Sequence, residues 1–83
     1  MTKIALDARE MEHPIPLQLA MKHLKTMPKD AYLYMIHRKQ PIPLIEMAKE
    51  KGFAHLSHQD PQERWHILIS KNPHINLKEL LDV

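Results

Sequence analysis

Apolar and polar positions alternate through Ile4-Ala5-Leu6-Asp7-Ala8, the period of two that a strand gives by pointing successive side chains to opposite faces. After Pro14 the spacing lengthens. Leu17, Ala20, Met21 and Leu24 fall on one side of a helix, which Pro28 stops. Ala31 to His37 reads as a second strand and Pro41 opens a second helix, with Leu44, Met47 and Ala48 on one face. Gly52, the only glycine, follows Lys49-Glu50-Lys51 and suits the left-handed position just past a helix end. Phe53–His58 and Arg64–Ser70 read as two more strands, joined by a hairpin loop through Gln59-Asp60-Pro61-Gln62-Glu63. Asn76 is placed to cap a last short helix, Leu77 to Asp82.

The predicted order is β-α-β-α-β-β with a tail. Helices between strands imply right-handed crossovers, so the first two strands should be parallel neighbours with both helices on one face. The result is a two-layer α/β sandwich. Its second strand has two apolar faces, Leu33 and Met35 on one side and Tyr32, Tyr34 and Ile36 on the other. A sheet face open to water normally alternates with polar residues. Something should therefore cover the second face: the C-terminal tail with Leu77, Leu80 and Leu81, another copy of the chain, or a partner.

A short repeat supports this parsing. His13-Pro14-Ile15-Pro16-Leu17 recurs as Gln40-Pro41-Ile42-Pro43-Leu44. Proline is favoured at a helix start because the N–H it lacks would have no intrahelical partner there.

Composition then narrows the function. The 83 residues hold 12 Lys+Arg against 10 Asp+Glu, a net charge of +2, with 43% apolar residues. That mix fits a single globular domain and not a disordered chain. No apolar run approaches the roughly 18 residues of a membrane span, and residues 1–10 carry charges where a signal peptide is apolar, so cytoplasmic residence without a membrane is expected. Charges of both signs are interleaved, which argues against a nucleic-acid partner. Cysteine is absent, and with it disulfides, thiolate nucleophiles and Cys-ligated metals.

Leu6-Asp7-Ala8-Arg9, the two Pro-Ile-Pro-Leu copies, His37-Arg38-Lys39-Gln40, Lys51-Gly52-Phe53 and Trp65-His66-Ile67-Leu68-Ile69 together resemble the domain-of-unknown-function 2249 family. That family is similar to the TusA/SirA-like sulfur carriers. The resemblance runs from about Lys3 to Lys71, giving a domain over residues 1–71 and a tail over 72–83. It implies a mixed four-stranded sheet of order 1-2-4-3 with strand 4 antiparallel. TusA-like carriers hold sulfur as a persulfide on a cysteine just before the Pro-x-Pro helix start. His13 stands at that position here, so the carrier activity should be absent.

The expected site is the C-terminal edge of the first two strands, where open α/β sheets bind ligands. It gathers Asp7, Arg9, His13, His37, Arg38, Lys39 and Gln40. Helix N-termini there favour an anion, although the paired prolines remove backbone donors. Ordinary solvated helix tips, with Asp7 paired to Arg9 or Arg38, are the plain alternative. The histidines raise metal binding, but His55 and His58 lie three apart on a strand and face opposite ways. A His55–His66 cross-strand pair needs one particular register. Neither metal nor cofactor is expected. Ser57, Ser70, Thr2 and Thr26 have no activating neighbour, so no enzyme activity is expected. The leading reading is a non-catalytic module that contacts a protein partner, or itself, or weakly binds a small anion. A redox or metal-linked accessory using His13 and His37 is the first alternative. An RNA-binding module is the second, prompted by the pI of about 9.0 and a similar topology in the initiation-factor-3 C-terminal domain.

Overall fold

The computed structural model describes all residues, Met1–Val83. The elements are β1 (Thr2–Asp7), α1 (Ile15–Thr26), β2 (Ala31–His37), α2 (Ile42–Glu50), β3 (Ala54–Gln59) and β4 (Trp65–Ser70), followed by a 3-10 turn at Leu77–Leu80. The sheet order is β1-β2-β4-β3, with β1 parallel to β2 and β4 antiparallel to both neighbours. The two-layer α/β sandwich expected from the sequence is present.

The proline repeat sits slightly differently from its prediction. Pro14 and Pro41 are the N-cap residues, and Pro16 and Pro43 occupy the second helical position. The N–H of either position has no intrahelical acceptor, so proline costs nothing at both. A loop separates the first copy from its strand. β1 ends at Asp7, and although the Ala8 N–H still bonds to the Ile36 carbonyl at 2.8 Å, residues 8–13 form a loop.

The end of α2 follows its prediction closely. Gly52 has φ +71°, its N–H reaches the Lys49 carbonyl at 3.1 Å, and the Phe53 N–H reaches Ala48 at 2.9 Å. These two bonds close a Schellman motif and turn the chain into β3.

One core lies between helices and sheet. Leu33, Met35, Ile67 and Ile69 from the central strands pack there against Ala20, Leu24, Leu44 and Ala48 of the helices. Trp65, which alternates with Ile67 and Ile69 along β4, packs against the rim of the same core. The second apolar face is covered by the tail of the same chain. Tyr32, Tyr34 and Leu68 meet Leu77, which is 4% exposed, with Ile75, Leu80 and Leu81 around it. The predicted tail helix is shorter than expected. It is one 3-10 turn of four residues, and Asn76 makes no side-chain capping bond. Packing of leucines onto the sheet holds the segment, so a full α-turn with a cap is unnecessary. Tyr32 and Tyr34 are buried beneath it and offer no surface for stacking bases.

Candidate functional site

The N-terminal ends of α1 and α2 lie side by side at the C-terminal edge of β1 and β2, and between them opens a cleft of about 270 Å³. His13, His37, Arg38, Lys39 and Gln40 line it, together with Glu12 and both prolines at the second helical positions. Each helix start leaves one backbone donor without an acceptor. Ile15 and Ile42 N–H turn back to Glu12 and Gln40, Gln18 and Ile45 reach Pro14 and Pro41, and the amides of Leu17 and Leu44 reach nothing. Both leucines line the cleft. The paired prolines therefore thin the donors without removing them all, and the positive ends of two helix dipoles remain.

The side chains are held mostly by one another and by neighbouring backbone. Arg38 donates to the Met11 carbonyl at 3.3 Å and stands 3.8 Å from the Glu12 carboxylate, an exposed pair of little energetic weight. Gln40 donates to the Ser57 hydroxyl at 3.1 Å, which ties the α2 start to β3. His37 accepts the Lys39 backbone N–H on Nδ1 at 3.2 Å, so the neutral ring carries its proton on Nε2. Burial, and then the charges of Arg38 and Lys39, push the His37 pKa below its ordinary 6.5.

Asp7 and Arg9 do not join this group. Asp7 leaves β1 on the tail side of the sheet, and Arg9 binds it through Nε at 2.9 Å and Nη2 at 2.7 Å. This hydrogen-bonded pair lowers the Asp7 carboxyl to about 2. Of the plain alternatives, the Asp7–Arg9 pair is the one that forms. No three His, Asp or Glu side chains converge with the geometry of a metal site. The register puts His58, not His55, opposite His66, and His55 faces Ile69. A His55–His66 pair would need a hairpin loop three residues different.

A family profile described as "Uncharacterized conserved protein (DUF2249)" matches residues 5–71. The chain belongs to this family. No curated protein matches the sequence. Among solved structures, the SirA-like protein of Desulfitobacterium hafniense is similar, with a TM-score of 0.70 at 18% identity over 82% of this chain and 96% of that one. At that identity the likeness shows a shared fold. His13 stands immediately before the N-cap of α1, and the chain has no cysteine anywhere. No helix is long and apolar enough to cross a membrane.

Sequence reasoning missed a second constellation on the tail side of the sheet. Tyr34 Oη lies 2.8 Å from His66 Nδ1, and His66 Nε2 lies 2.8 Å from Asp60 Oδ2. Asp60 also accepts Arg64 Nε at 2.8 Å, and the Gln62 and Arg64 amides at 2.9 and 3.0 Å. The Asp60 carboxylate only accepts, so in the neutral ring Nε2 carries the proton and Nδ1 accepts the Tyr34 hydroxyl, which in turn accepts the Asp82 N–H at 3.0 Å. Tyr34, His66 and Asp60 are 3%, 4% and 5% exposed, so the chain of bonds is a buried strut from the hairpin to the tail. Its hairpin uses a left-handed Glu63, φ 65°, closed by the Asp60 N–H to Arg64 carbonyl bond. The one signal in the sequence is the Asp60-Pro61 turn with Arg64 and His66 following at even spacing. It becomes readable only once the hairpin register is known.

Proposed function

We propose that this protein is a non-catalytic binding module whose cleft between the two helix starts takes a small oxyanion. The observation that carries the reading is the pair of helix starts, each with one amide lacking an acceptor, Leu17 and Leu44, beside one cleft lined by His13, His37, Arg38 and Lys39. Two dipole ends and two fixed cations supply attraction. Glu12 is the only acid on the lining. Persulfide transfer has no place in this reading. Where the resembled carriers hold cysteine stands His13, and an imidazole nitrogen cannot carry a sulfane sulfur. A cytoplasmic setting fits the same reading.

The test is an NMR titration with sodium sulfate against sodium chloride at matched ionic strength. Sulfate should shift the Leu17 and Leu44 amides with a dissociation constant on the order of 1 mM. Because His37 titrates below 6.5 and an anion favours its protonated form, binding should tighten as pH falls from 7 through that depressed value. Arg38→Ala should weaken it severalfold. Shifts that chloride reproduces, or that spare both amides, would sink the reading.

A further inference from the structure

At the other end of the helices lies a larger depression, about 620 Å³, between the C-terminal half of α1 and the end of α2. Its floor is apolar: Leu24 is buried, Met47 and Phe53 are half-buried, and Met21 is 38% exposed. Its rim is basic. Lys22 and Lys25 stand one turn apart on α1, Lys51 caps α2, and Lys71 leaves β4. No acidic residue lines it. Lys71 is engaged, its ammonium donating to the Met27 carbonyl at 3.0 Å. Lys22, Lys25 and Lys51 make no ion pair, and their ammonium groups make no hydrogen bond; every salt bridge of the molecule lies elsewhere.

We propose that this groove docks an acidic amphipathic helix of a partner protein, its apolar face on Met21, Leu24, Met47 and Phe53 and its carboxylates on Lys22, Lys25 and Lys51. Cations at helix C-termini answer the helix dipoles, but that role needs no apolar floor beneath them. Methionine side chains suit such a groove because they repack around varied apolar partners. Nucleic acid fits less well, since the rim has no arginine and Phe53 is the only aromatic, half covered. The groove is separate from the oxyanion cleft, so either assignment stands or falls alone.

The probe is a fluorescein-labelled 15-residue peptide with leucine at helical i, i+3, i+4, i+7 spacing and glutamate elsewhere, followed by anisotropy with the full chain. Binding is expected with a dissociation constant on the order of 10–100 μM at low salt, weakening as ionic strength rises. Lys22→Glu/Lys25→Glu should weaken it about tenfold or more. Lys22→Arg/Lys25→Arg should restore it, and Lys78→Glu, on the tail, should change it less than twofold. Lys51→Glu is a second, independent probe of the rim. The proposal is overturned if a scrambled peptide of the same composition binds as well, or if the charge reversals leave affinity unchanged. It is equally overturned if single-stranded RNA or phosphatidylglycerol vesicles bind more tightly than the peptide. Self-association in sedimentation that the Lys22→Glu/Lys25→Glu variant abolishes would make a second copy the occupant, and overturn it too.

Discussion

Replacing Tyr34 by phenylalanine removes one oxygen and leaves the ring in place. The edge-on packing against His66, 5.7 Å between ring centres at 86°, is kept, as is the Lys3 ammonium 4.4 Å over the ring. Two hydrogen bonds disappear, the donation to His66 Nδ1 and the acceptance from the Asp82 amide. The first loss is the costly one. His66 is 4% exposed, so its Nδ1 is left buried without a donor, at about 1–3 kcal/mol. The Asp82 amide is partly exposed and regains water, so its share is at most about 1 kcal/mol. Tyr34→Phe should therefore destabilise the fold by about 1–4 kcal/mol, lowering Tm by roughly 4–8 °C for each kcal/mol in a domain of this size. Urea unfolding at pH 7, followed by circular dichroism, measures the loss directly, with an unchanged m-value as the sign that the denatured state is unaltered. Asp60→Asn supplies a second axis. Asp60 and Tyr34 communicate only through His66, so the double variant should depart from additivity by more than about 0.5 kcal/mol. A Tyr34→Phe loss under about 0.5 kcal/mol, or strict additivity, would refute the strut.

Two further outcomes follow from the tail and from Asp60. A chain ending at Lys71 loses Leu77 and the Asp82–Tyr34 bond; it should keep its α/β dichroism spectrum, melt lower and bind a hydrophobic dye, and unchanged melting and dye binding would mean the tail covers nothing that matters. The Asp60 carboxyl is held well below the usual carboxylate range by the His66 hydrogen bond, and next by the Arg64 amide and guanidinium. A depressed folded value means that this stabilisation is complete above the unfolded pKa of about 4 and is lost as pH falls through the folded one. Wild-type stability should thus decline more steeply below pH 4 than that of Asp60→Asn, and parallel acid profiles would contradict the assignment.

The cleft was partly legible in the sequence. The repeat located both helix starts, and adjacency of parallel strands brought His13, His37, Arg38 and Gln40 to one edge. The same rule groups Asp7 and Arg9 with them, because both lie at the C-terminal end of the first strand. Alternation along β1 sends Asp7 to the opposite face, where Arg9 is the nearest cation. The lysine-rimmed groove had no sequence signal, since Lys22, Lys51 and Lys71 belong to three separate elements.

Local chemistry alone determined the element order, the proline-opened helices, the Gly52 stop and the two-faced character of β2. Each of these acts over a few residues, through backbone sterics, a missing N–H or the periodicity of burial. Tertiary structure alone decided the rest: that the chain's own tail covers Tyr32 and Tyr34, that His66 meets Asp60 and Tyr34, and that the unpartnered amides of Leu17 and Leu44 share a cleft. Those facts depend on strand register and on which surfaces meet. A shift of one residue in the β2–β4 pairing would turn His66 away from Tyr34 with no change in local pattern strength. Only the summed packing of both cores selects the register that brings the three together.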